Sequence, residues 1–163
     1  MTDLIRLNDH LLGEVAEFLS GPVHPHYAIP CPPVFSSSIG QHIRHCLEHY
    51  EELLRALRED QSLDYENRPR DPRVETDPVV ARRRIEALRT EIQTIPSESE
   101  GLVVNDHAAG FSSRSSVARE LQFLVSHTVH HFALIAVIAS RFGLNVPADF
   151  GIAPTTLKFR NSA

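Results

Sequence analysis

Histidines are the residues of this sequence whose number and spacing point to chemistry. Ten occur among 163 residues, and six of them form two short clusters. These six are His42, His45, His49, His127, His130 and His131. On a helix, His127 and His131 lie one turn apart on the same face, so their imidazoles can bind one divalent metal. A third ligand from a facing helix would leave a coordination position for water or substrate, which is typical of catalytic metal sites.

A helical wheel places both clusters at the border of an apolar stripe. His42, His45 and His49 share a narrow sector, in which His42 and His49 lie nearer the centre of the stripe than His45. His130 points away from the stripe of its own helix. The wheel alone therefore leaves the choice of ligand from the earlier cluster open. A metal-free alternative also stays open, in which the histidines are half-buried and hydrogen-bonded at the edge of the core.

The elements that must position these residues are helices. Apolar residues recur at the helical period over four segments, at about residues 2–19, 38–60, 77–95 and 115–142. Between them we expect a proline-rich loop, a charged loop and a short β-hairpin, at residues 23–37, 61–76 and 101–111. The pattern predicts an all-α fold, a four-helix bundle with long crossover loops. We expect a single domain over residues 1–163, with an extended tail at residues 144–163.

Two of these helices begin with clear start signals. Ser38 and Gln41 have the spacing of a capping box, in which each side chain accepts a hydrogen bond from the other residue's backbone N–H. Asp77 precedes Pro78, which is the order expected of a helix N-cap and the first helical residue. These signals locate the beginnings of the second and third predicted helices.

Composition excludes several classes of protein. A formal net charge of −5 and a pI of about 6.0 argue against a nucleic-acid partner, which needs a basic face. The apolar run at residues 132–139 is far shorter than the roughly 20 residues that span a bilayer, so we expect no membrane segment. Two cysteines, an acidic N-terminus and no leader-like segment indicate a reducing compartment, and we expect a cytoplasmic protein.

The segments SIGQHIRHCLEHY (residues 38–50) and SHTVHHFALI (residues 126–135) carry the two clusters. They resemble the second and last helices of the DinB/YfiT-like metalloenzyme superfamily. The order of helices and the lengths of the loops fit as well, so the resemblance covers nearly the whole chain. Some members of that superfamily place Glu where this sequence has His127.

The resemblance implies a metal held by His45, His127 and His131. Three imidazoles would suit zinc or nickel. Other residues are candidates for neighbouring roles, namely His49, His42 and His130 as pocket residues or reserve ligands, Glu48 as an acceptor behind the ligands, and Arg68 and Arg70 as an anion-binding pair. Solvated side chains are the alternative interpretation for Glu48 and for the arginines of the charged loop.

The resemblance also implies a metal-dependent thiol S-transferase or hydrolase that uses a low-molecular-weight thiol and an unidentified small-molecule substrate. One alternative is a non-enzymatic metal-binding or stress-response protein whose site is structural or vestigial. Another is a metal-free helical bundle that acts through a protein partner. A homodimer is compatible with the pattern. Cys46 points into the apolar stripe and is interpreted as a small buried side chain.

Overall fold

The computed structural model describes residues 1–33, 35–59, 62–96 and 101–162. The fold is mostly helical with a small two-stranded sheet. Its elements are α1 (Thr2–Leu19), α2 (Ile39–Glu59), α3 (Pro72–Thr76), α4 (Pro78–Ile92), β1 (Leu102–Asp106), β2 (Phe111–Ser115), α5 (Val117–Arg141) and α6 (Pro154–Ser162). A 3₁₀ turn at His24–His26 interrupts the proline-rich loop.

The four long helices pack in pairs around one core. α1 contacts α4 and α5, and α2 contacts the same two helices from the other side. The side chains that the four helices bury completely include Leu12, Ile43, Leu53, Ile85, Leu121 and Ile135. The helices that carry the two histidine clusters, α2 and α5, are therefore neighbours.

A buried polar network ties three of these helices together. The hydroxyl of Tyr50 on α2 donates to Oδ1 of Asn8 on α1 at 2.8 Å. It lies 3.1 Å from Oγ1 of Thr128 on α5, from which it accepts. The Asn8 amide donates in turn to the carbonyl of Leu121 at 3.1 Å. Because Thr128 follows His127 directly, this network sets the position of α2 against α5 next to the histidines.

The start of α2 has the predicted capping box. The backbone N–H of Ser38 donates to Oε1 of Gln41 at 3.0 Å, and that of Gln41 donates to Oγ of Ser38 at 3.2 Å. The same first turn packs closely on α3, since a Cβ at Gly40 would lie 2.1 Å from the carbonyl oxygen of Glu75. Asp77 caps α4 as predicted, accepting from the backbone N–H of Val79 at 2.8 Å.

The predicted hairpin is present and is joined to the charged loop. β1 and β2 pair antiparallel, with Leu102 opposite Ser115 and Asp106 opposite Phe111. Leu63 adds a bridge to Val104, and its backbone N–H and carbonyl bond to β1 at 2.8 and 2.9 Å. The sheet therefore holds the loop that leads to Tyr65 and Arg68.

Three predictions about the secondary structure need correction. The tail is not extended throughout, because α6 occupies Pro154–Ser162. The charged loop at residues 61–76 ends in α3, which Asp71 caps by accepting from the backbone N–H of Arg73. The last long helix begins at Val117 rather than at residue 115, since Ser115 belongs to β2. Residues 60 and 61, on which the predicted end of the second helix and the predicted start of the charged loop fall, lie outside the described residues.

α5 is long and apolar enough to cross a membrane by length and composition alone. Core helices of soluble proteins meet the same criterion, and α5 packs against α1 and α2 in this fold. It also carries the buried carboxyl group of Glu120 and the second histidine cluster. The helix is therefore weak evidence for a membrane span and is compatible with a soluble protein.

Candidate metal centre

Three histidines from two helices meet at the α2–α5 interface. His45 of α2 and the His127–His131 pair of α5 each offer a ring nitrogen, and these three atoms lie within 4.8 Å of one another. The shortest approach joins Nε2 of His45 to Nε2 of His127, at 3.1 Å. All three side chains are half-buried, so the cluster keeps one side open to solvent.

These distances fit the coordination sphere of a single metal ion. Zinc binds imidazole nitrogens at about 2.0–2.1 Å, so two nitrogens on a tetrahedral ion lie about 3.3 Å apart. The 3.1 Å between His45 and His127 is close to that value. An ion would need only small side-chain movements to be bound by all three rings.

Burial makes the cluster neutral. Desolvation is the largest influence on each ring and lowers the pKa of His45 and His127 to about 4 and that of His131 to about 3. The pKa of His42 is also lowered, and that of His49 falls to about 2. Neutral imidazole is the charge state that binds metals, so the rings of the cluster have the required charge at pH 7.

His49 lies against the cluster but is turned away from it. Its ring centroid is 4.0 Å from that of His127. Its Nδ1 donates to the backbone carbonyl of His45, one turn earlier, at 2.7 Å. Its Nε2 is left as an acceptor and lies 3.4 Å from an Arg68 nitrogen. His49 is thus hydrogen-bonded at both nitrogens and helps to hold His45 in place.

The remaining two histidines behave differently from each other. His42 is buried, and its Nδ1 lies 3.0 Å from Nδ1 of His131 while its Nε2 lies 2.8 Å from Oγ of Ser37. His130 is exposed, with its ring 5.2 Å from that of His131. The structure therefore joins His42 to the cluster and leaves His130 at its edge.

Arg68 and Glu48 form a buried layer behind His45 and His49, so the solvated alternative is wrong for both. The Arg68 side chain is 8% exposed and that of Glu48 is 5% exposed. Arg68 donates to Nδ1 of His45 at 3.2 Å, and its Nε lies 3.9 Å from a Glu48 oxygen. Burial raises the pKa of Glu48, whereas Arg44 and Arg68 lower it. Arg70 is exposed and does not share this layer.

Aromatic rings cover another side of the cluster. Tyr65 stacks on His49 with ring centroids 5.0 Å apart, and Phe123 lies 5.5 Å from His127. The Tyr65 hydroxyl donates to the buried carboxylate of Glu120 at 3.0 Å. Phe123 precedes His127 by one helical turn, so its place on this face was readable from the sequence. The contacts of Ser37 and Tyr65 were not, because both residues lie in loops without periodicity.

Cys46 is buried, and burial raises the pKa of its thiol. This agrees with its interpretation as a small core side chain rather than a nucleophile. A cleft of about 450 Å³ between α2 and α4 is lined by charged side chains that include Glu48, Arg55 and Arg84. Among the described residues that line it, Glu48 is the one that also lies behind the histidines.

Comparison with known proteins gives two matches. The chain is 31% identical over 103 residues to a fungal protein named FK506-binding protein 5, from Rhizopus delemar, with 59% of this chain covered. The match spans only 27% of that fungal protein's length. The family model of the DinB superfamily matches residues 24–135, which include α2, α4 and both histidine clusters. The expected family is thereby confirmed: this chain belongs to the DinB superfamily.

Proposed function

We propose that this protein binds one divalent metal through His45, His127 and His131, in a four-helix bundle of DinB type formed by α1, α2, α4 and α5. The metal serves a reaction of the thiol S-transferase or hydrolase class. The observation that carries the proposal is the meeting of three neutral imidazoles within 4.8 Å at the helix interface. Membership of the DinB superfamily supports it.

The surroundings of the cluster favour an open site over a closed structural one. Structural zinc sites use four protein ligands, whereas catalytic ones use three and keep a position for water or substrate. The group has three members, and their side chains are half-buried. Zinc and nickel are among the metals that imidazole ligands suit.

The chain's own residues define what such a site can do. When bound, a divalent ion supplies a Lewis-acid centre that lowers the pKa of a water or thiol beside it. Three neutral imidazoles leave the positive charge of that centre uncompensated, which favours an anionic nucleophile. Tyr65 and Phe123 exclude water from one side of the cluster, which strengthens electrostatic interactions there.

Arg68 supports a substrate with an anionic group. Its Nε is buried and has no hydrogen-bond partner among the described residues, although Glu48 lies 3.9 Å away. A carboxylate can be held in a two-pronged contact by a guanidinium group. We propose that Arg68 binds such a group beside the metal, with the exposed Arg70 attracting it from solvent.

Metal content of tag-free protein tests the proposal first. We expect about one divalent ion per chain in the wild type and a loss of most of it in His131→Ala. His130→Ala is the matched control, because it removes the exposed neighbouring imidazole and should retain the metal. Helical circular dichroism should be unchanged in both variants. Absence of metal from the wild type after incubation with zinc, nickel and manganese would overturn the proposal in favour of a metal-free bundle.

A second measurement separates an enzyme from a metal-binding protein. Thiol-transfer and hydrolysis assays are run on the metal-loaded and metal-depleted protein, alongside thermal unfolding of both. A catalytic site predicts turnover that is lost without metal while the fold remains. A structural site predicts no turnover and a large fall in unfolding temperature on depletion.

A further inference from the structure

His42 and His131 share a contact that determines which nitrogen of His131 faces a metal. The two Nδ1 atoms lie 3.0 Å apart, a hydrogen-bond distance that requires a proton on one of them. With Nδ1 of His131 engaged in this way, Nε2 is the nitrogen that remains for coordination. That orientation agrees with the other pair, since His45 and His127 also face each other through Nε2.

The donors and acceptors can then be assigned in order. A neutral imidazole that coordinates through Nε2 carries its proton on Nδ1, so His131 donates to Nδ1 of His42. His42, now an acceptor at Nδ1, carries its own proton on Nε2. That nitrogen lies 2.8 Å from Oγ of Ser37, to which it donates a hydrogen bond. Both ring nitrogens of His42 therefore have a partner.

His42 is also held firmly. It is 9% exposed and lies in α2, one turn before His45. Phe35 packs edge-on against its ring, with centroids 6.2 Å apart. One helix therefore carries both a ligand and the group that orients a ligand on the facing helix.

We propose that His42 is a positioning residue that fixes the tautomer and orientation of His131, and that it does not bind the metal itself. The proposal rests on the proposed metal centre. Acceptors behind metal-ligating histidines hold the ring in place and raise its basicity, and their loss weakens metal binding about 10- to 100-fold. Ser37 completes the arrangement by accepting a hydrogen bond from Nε2 of His42.

Two substitutions of His42 test this role. His42→Leu removes the acceptor, and we expect zinc affinity, measured by competition with a chelator, to fall about 10- to 100-fold. His42→Asn places an amide oxygen near the Nδ1 position, and we expect affinity within a few-fold of the wild type. X-ray absorption of the zinc-loaded protein should give three imidazoles per metal in the wild type and in both variants.

The same measurements can overturn the proposal. Four imidazoles in the wild type and three in the His42 variants would make His42 a ligand. Unchanged affinity in His42→Leu would show that the contact does not position His131. If His42→Leu fails to fold, His42→Asn decides, because loss of affinity in that variant contradicts the role of acceptor. Failure of the wild type to bind zinc, nickel or manganese would instead overturn the proposed function, a distinct result.

Discussion

At the scale of single residues, Arg68 opposes the protonation state that metal binding requires of His45. Its guanidinium donates to Nδ1 of His45 at 3.2 Å and approaches Nε2 of His49 at 3.4 Å. If Nε2 of His45 binds a metal, Nδ1 carries the proton, and arginine has no acceptor to offer it. Arg68 must then leave His45, which frees its N–H groups for Glu48 or for an anionic substrate.

Replacement of Arg68 by glutamine is therefore expected to strengthen metal binding. The glutamine oxygen can accept the Nδ1 proton of His45, and a hydrogen bond gained in this way contributes about 0.5–1.5 kcal/mol. Zinc affinity of Arg68→Gln, measured by chelator competition, should rise by up to about tenfold. Arg70→Gln removes an exposed charge from the same loop and should change the affinity little. Weaker zinc binding by Arg68→Gln than by the wild type would contradict this account.

At the scale of elements, the beginning of α2 is fixed by its contact with α3. Gly40 lies against the backbone of Glu75 and the ring of Tyr27, where a Cβ would come within 2.1 and 2.7 Å of them. The Tyr27 hydroxyl donates to the carbonyl of Val74 at 2.7 Å, which holds α3 in the same place. The first turn of α2 therefore has no room for a side chain at this position.

Gly40→Ala is expected to destabilise the protein by about 1–3 kcal/mol, which is the usual cost of overpacking. A backbone atom of Glu75 must move to make room for the new Cβ. Gly13→Ala is the matched control in α1. There a Cβ meets only the Arg89 side chain at 3.6 Å, an ordinary contact. That change should be neutral or should stabilise the helix by about 0.5–1 kcal/mol. Urea unfolding of both variants measures the difference, and equal stabilities would show that α3 moves aside freely.

The elements also show how far the sequence could be read. Periodicity and capping residues predicted the long helices, because apolar stripes and end signals are local. α3 and α6 were missed, since helices of 5 and 9 residues carry little periodic signal. The wheel favoured His42 and His49 because it measures nearness to the stripe centre. Those two are indeed buried, whereas the three grouped nitrogens belong to half-buried rings at the edge.

At the scale of the whole molecule, the half-buried histidines of the cluster link stability to pH. Their pKa values are lowered below the ordinary 6.5, to about 4 for His45 and His127 and about 3 for His131. Between these values and 6.5 the unfolded chain binds more protons than the folded one. The contribution of these neutral histidines to the free energy of unfolding is therefore fully present above pH 6.5 and is lost as the pH falls.

Thermal unfolding of the metal-free protein should show this dependence. The unfolding temperature is expected to decrease steadily from pH 6.5 to pH 4. His49→Phe replaces a ring whose pKa is about 2 with one that cannot be protonated. The unfolding temperature of this variant should therefore fall less steeply with pH than that of the wild type. His24→Gln changes an exposed histidine and should follow the wild type. Identical slopes in all three proteins would indicate that the cluster does not control acid stability.

The bridge between Leu63 and β1 has a mechanical consequence. Leu63 is fully buried, and four residues lie between it and Arg68, which contacts His45 and His49. The hairpin thus fixes the position of Leu63, and the short loop segment that follows carries Arg68 to the histidines. A ligand or partner that moved the exposed tip of the hairpin at Phe111 would also move this loop segment. A displacement of the hairpin is therefore expected to change the position of Arg68 against His45 and His49.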